Sequence, residues 1–230
     1  MPAAQHNLTT ANIITRGSAV APLDNTGGKD RGKMGVPTSC LYYHSFGGPT
    51  IGAANSIALS QTVTVATTPL VVLNGALAAG GIATQDVARN VVAAWTGTSV
   101  ITITGKDVHG RTVVEASASG TSLTGKKAFK TISSASFSAD VTAATVGHGD
   151  VLGLPYACGN GDMLLGKFGL NTADAGTFVA AVTSAATATT GDVRGTYDPA
   201  GTLDGSTEVQ VLLNISDTSN NGYGVAQFAG

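Results

Sequence analysis

The side chains of this chain that could do chemistry are few, and most of them sit beside glycine or proline. His148-Gly149-Asp150 places an imidazole and a carboxylate two residues apart, and a serine or Cys158 elsewhere could in principle supply a nucleophile. A working triad also needs hydrogen-bond reach and an oxyanion hole, and no sequence motif provides either. Gly-x-Ser-x-Gly, Gly-x-x-x-x-Gly-Lys-Ser/Thr and His-Glu-x-x-His are all missing from the chain. Glu115 and Glu208 are the only glutamates, so paired carboxylates for acid–base work would have to come from aspartate. Five of the twelve aspartates fall in Gly149-Asp150, Gly161-Asp162, Gly191-Asp192, Asp198-Pro199 and Asp204-Gly205, where the side chain typically bonds nearby backbone in a turn. No Asp-x-Asp-x-Asp-Gly calcium loop occurs. His109 falls in a turn, where exposure is the default. Cys40 and Cys158 are too few for a disulfide framework and read as small reduced residues. The expectation is a chain that is not an enzyme, with no catalytic residues, no cofactor and no metal.

What remains are residues suited to contact. Leu41, Tyr42, Tyr43 and Phe46 form an aromatic cluster of the kind that anchors interfaces. Arg31 and Lys33, with Lys29, surround Asp30; Lys126, Lys127 and Lys130 lie around Phe129. On a strand, Lys126 and Lys130 would share one face, either guarding a sheet edge or docking onto an acidic surface. These nine residues, Arg31, Lys33, Leu41, Tyr42, Tyr43, Phe46, Lys126, Lys127 and Lys130, are the expected contact set. A net charge of −2 makes the basic clusters a poor footprint for nucleic acid, so no specific nucleic-acid binding is expected.

The elements that must position these residues read as β. Charged residues make up 11% of the 230, against about 25% in ordinary globular proteins, and the scarcity of Glu and Lys argues against long exposed helices. Thr62-Val63-Thr64-Val65 alternates. Val100–Thr104 and Thr112–Glu115 flank a turn-rich connector and predict a hairpin. Phe129, Ile132, Phe137 and Val141 mark further strands, and Val209, Val211, Leu213 and Ile215 recur at period two. Tyr223–Phe228 could add an edge strand; Leu70–Ala79 could be helix or strand; Ala173–Ala188 reads as strand. Residues 1–55 carry many turn formers and no sustained period, which predicts an extended N-terminal arm that orders against a neighbour. Ordering a residue costs about 1–2 kcal/mol, so that neighbour must supply substantial area. The expected fold is all-β: an antiparallel β-sandwich or jelly-roll-like body over 56–230, with the arm before it. No membrane span and no signal peptide are expected.

Several blocks, in order, resemble head accessory proteins of tailed bacteriophages. They are Ala88-Arg89-Asn90-Val91-Val92, Ile101–Asp107 with Gly110–Glu115, Lys127–Ser134, Gly147–Tyr156, Ala188–Tyr197 and Gly222–Gln227. The resemblance spans roughly residues 86–230 and leaves the arm outside. It implies a capsid decoration, or cement, protein on the outer surface of the virion, made in the host cytoplasm. It further implies binding to the major capsid protein as a homotrimer. Two other readings stay open: a tail, connector or fibre component of similar composition, and a virion-borne glycan hydrolase, which would require two carboxylates across a cleft.

Overall fold

A computed structural model describes residues 13–16, 39–169, 173–184, 186–215 and 222–228. Within them the chain forms fourteen strands: β1 (Ile13–Arg16), β2 (Ser39–Gly47), β3 (Ala53–Val63), β4 (Ala78–Ala79), β5 (Ile82–Ser99), β6 (Ile101–Lys106), β7 (Thr112–Ala116), β8 (Gly120–Thr124), β9 (Phe129–Phe137), β10 (Val141–Gly153), β11 (Met163–Phe168), β12 (Thr177–Val179), β13 (Thr196–Asp198) and β14 (Val209–Ile215). Every strand pairing is antiparallel. The protein is all-β, as its β-branched alternation predicts. No helix among the described residues is long and apolar enough to cross a membrane.

The large sheet runs β12-β13-β10-β5-β9-β6-β7, with β3 on β10 and β4 and β8 on β5. It curls around its own core. Ile57, Val91, Ile103, Phe129, Ile132 and Val146, all essentially inaccessible to solvent, come from five of its strands. Trp95 of β5 meets Phe137 of β9 edge to face at 5.1 Å. The seam is closed by residues 69–77, which bond β9 on one side (Val71 N–H to the Ala135 carbonyl, Phe137 N–H to that of Pro69). On the other side they bond β3, through Gly75 N–H to Ile57 and Leu77 N–H to Ser56. Gln61 adds two bonds, donating to the Val72 carbonyl and accepting from its N–H. Leu70–Ala79 is therefore neither a helix nor a strand beyond β4. Its backbone groups are satisfied by two different strands, and Leu70 and Val72 are left facing outward.

The second sheet has the order β1-β2-β14-β11. Its inner face packs on the far end of the large sheet: Phe46, Val209, Val211 and Leu213 meet Leu152, Leu154 and Tyr197 in a second core. Expectation and structure part here. Residues 39–55 do not belong to an arm. Ser39–Gly47 is a strand paired along β14 from Cys40↔Ile215 to Gly47↔Val209, and β3 begins at Ala53. The strand was hidden because Leu41-Tyr42-Tyr43 puts large side chains on both faces and Ser39, His44 and Ser45 interrupt them, which erases the alternation. Ala173–Ala188 contributes only β12 as strand, and the described part of 223–228 pairs with no sheet. The Val100–Glu115 hairpin forms as expected, in β6 and β7.

Candidate interaction surface and buried polar network

Period-two geometry divides the Leu41–Phe46 cluster between two destinations. Tyr42, His44 and Phe46 turn inward, Phe46 into the second core with Tyr42 packed against it. Leu41 and Tyr43 turn outward. Across the sheet Tyr43 pairs with Leu212 of β14, which pairs with Leu165 of β11, making an apolar row over three strands. Tyr43 and Leu165 are 39% and 37% exposed, and Leu164, in the bulge beside them, is 45% exposed. A shallow hollow of about 160 Å³ lies along this row, with Lys167 and Gln210 at its polar end. An open sheet face with large apolar side chains at its centre is the usual form of a surface that meets a partner. Sequence reading found Tyr43 and missed Leu164, Leu165 and Leu212. The available signal was slight: Leu212 is the one apolar residue on the otherwise polar side of the Val209–Ile215 alternation, between Gln210 and Asn214.

The lysines also separate. Lys126 is exposed and Lys130 half-buried, but Lys127 is fully buried and cannot take part in a surface contact. The strand expected to carry them starts only at Phe129, so Lys126 and Lys127 lie in the β8–β9 connection and share no strand face. Arg31 and Lys33 lie outside the described residues. The Lys127 ammonium donates to three carbonyls from distant segments: Val114 at 2.9 Å, Thr187 at 2.6 Å and Gln227 at 3.2 Å. The backbone N–H groups of Lys126 and Lys127 donate to the Glu115 carboxylate. Asp192 accepts from Ala128 N–H, Arg194 N–H and the Gln227 amide. Arg194 pairs at 2.7 Å with Asp107, both side chains fully buried, and Asp107 also accepts from the N–H groups of His109 and Arg111 in the β6–β7 turn. Burial pushes the Glu115 carboxyl up to about 7 despite its two backbone donors and pulls the Lys127 ammonium down. This network ties the hairpin, the 186–194 loop and the C-terminal segment to the barrel.

The catalytic residue types are held in structural roles. His148 lies on β10, not in a loop, and is buried; its Nδ1 meets the Ser56 hydroxyl at 2.7 Å. Ser56 is buried as well. Cys158 is buried, its thiol donates to the Tyr156 carbonyl, and desolvation raises it to about 12, so it stays protonated. Asp162 and Asp204 accept from backbone N–H groups two or three residues away, as their turn contexts predict. Among the described residues, no three His, Cys, Asp or Glu side chains are placed to hold a metal ion.

Comparison with protein-family models, with curated proteins and with solved structures returned no match.

Proposed function

We propose that this chain is a non-catalytic structural protein of a phage particle. In this reading it binds the assembled capsid from outside and braces contacts between neighbouring major capsid protein subunits, three copies acting together. The observation that carries the reading is the outward apolar row Tyr43–Leu212–Leu165 across three antiparallel strands. The low charge of the chain and the ordered phage-like blocks support it. A protein that binds only the assembled lattice stabilises that lattice by mass action. Linking three copies raises the effective concentration of each contact without new chemistry. β1 lies on the edge of the same sheet, beside β2.

The test is co-sedimentation of the purified chain with expanded capsids. Stoichiometric binding is expected. The double variant Tyr43→Ser/Leu165→Ser should keep its circular dichroism spectrum and bind at least about tenfold more weakly, since two central apolar anchors each contribute more than about 1 kcal/mol. Failure to bind capsids, with binding to isolated tails instead, would make it a tail, connector or fibre component.

A further inference from the structure

Where the two sheets meet, four distant segments bring partly exposed rings together. Tyr42 and His44 come from β2, Tyr156 follows β10, His109 sits in the β6–β7 turn, and Tyr223 belongs to the C-terminal segment. Tyr42 and Tyr156 meet edge to face at 4.9 Å; Tyr156 and Tyr223 lie parallel, 5.8 Å apart; His109 stands 4.3 Å from Tyr223. The Arg111 guanidinium lies 4.9 Å from the Tyr223 ring centre. Core rings such as Trp95 and Phe137 are enclosed, whereas these keep part of their surface in solvent.

His109 is engaged, its Nε2 lying 2.7 Å from the Pro155 carbonyl oxygen, but the polar atoms of the other four rings are unspent among the described residues. The hydroxyls of Tyr42, Tyr156 and Tyr223 and the imidazole of His44 make no hydrogen bond among the described residues. Burial drops His44 to about 4, so at neutral pH its ring offers one donor and one acceptor. Beside His44 opens a cleft of about 170 Å³ with Phe46, Val87 and Pro155 in its wall. Lys130 lines it with two ammonium hydrogens on the carbonyls of Gln85 and Asp86 and the third free. The Asp86 carboxylate in the same cleft is already engaged by Arg89, by Thr50 and by the Val87 N–H.

We propose that this ring array and cleft bind a saccharide. A pyranose has one face of C–H groups and a rim of hydroxyls, each both donor and acceptor. The C–H face suits the electron-rich faces of tyrosine rings. The rim suits free phenol hydroxyls, a neutral imidazole and a spare ammonium hydrogen. Tyrosine provides such mixed contact area with little conformational entropy to lose. A proline-rich peptide would leave these donors and acceptors unpaired. With its carboxylate already bonded, the cleft has no pair of free acids and serves binding, not hydrolysis. Tyr42 and Tyr43 point to opposite faces of β2, so the site is separate from the proposed capsid face, and either can fail without the other.

The experiment is saturation-transfer NMR on the full chain with cellopentaose, maltopentaose, chitopentaose and oligogalacturonate. At least one should receive saturation, and Tyr156→Ala, and independently Tyr223→Ala, should weaken its binding about fivefold or more. Tyr43→Ala on the other face should change nothing. The proposal is overturned if none of the four binds, if binding survives both tyrosine variants, or if a proline-rich decapeptide binds at this array and the saccharides do not.

Discussion

A fully buried ammonium persists only when its hydrogens are matched, and Lys127 places all three on carbonyl oxygens. Replacing it with Met would leave those carbonyls and the nearby Glu115 and Asp192 uncompensated, so Lys127→Met should lose about 3–5 kcal/mol in urea unfolding. Amide exchange at Gln227 should also quicken, because the variant frees the C-terminal segment. Glu115 sets a pH dependence. Its carboxyl titrates near 7 in the folded chain and at an ordinary 4.5 when unfolded. Between those values the folded state holds a proton that the unfolded state has lost, so this contribution is full below 4.5 and disappears as pH rises through 7. Wild-type melting temperature should therefore fall from pH 5 to 8 by more than that of Glu115→Gln; equal slopes would remove Glu115 as the cause. None of this was legible in Lys126-Lys127-Ala128-Phe129-Lys130. Three lysines in five residues look solvated, and only the course of the β8–β9 connection decides which one turns inward.

At the scale of elements, short β-branched runs bounded by turns were legible, as β6, β7 and β14 show. The long strands were not. β10 contains Gly147, His148, Gly149 and Asp150, which read as a loop, yet it pairs with β3 on one edge and β5 on the other. Its glycines are there because neighbours come close: a Cβ on Gly147 would stand 1.8 Å from the Ala53 carbonyl oxygen. Gly75 does the same at the barrel seam, 2.2 Å from the Ser56 oxygen. Gly75→Ala must push residues 69–77 off β3 and should cost about 1–3 kcal/mol or more, read as a lower urea midpoint. A midpoint equal to wild type would mean the seam does not close the barrel. The contact face was half legible: the Leu41–Phe46 cluster in β2 signals itself by composition, whereas Leu212 stands alone between Gln210 and Asn214.

The whole molecule combines a rigid β body, few charges and one apolar sheet face opposite its own core. The proposed face is apolar along Tyr43, Leu212 and Leu165, with Lys167 at its polar end, so attraction between opposite charges has a small part in the proposed binding. Raising salt from about 0.05 to about 0.5 M should then weaken capsid binding by less than about threefold, since screening acts on exposed charges; a steep salt dependence would move the contact to the lysines. The placement of the chain on a particle is the central claim, and imaging tests it most directly. Cryo-electron microscopy of virions carrying a small tagged copy should show density repeated over the outer shell at three-fold positions, with the Tyr43–Leu165 face toward the capsid. Density confined to the tail, or its absence from the particle, would contradict the account.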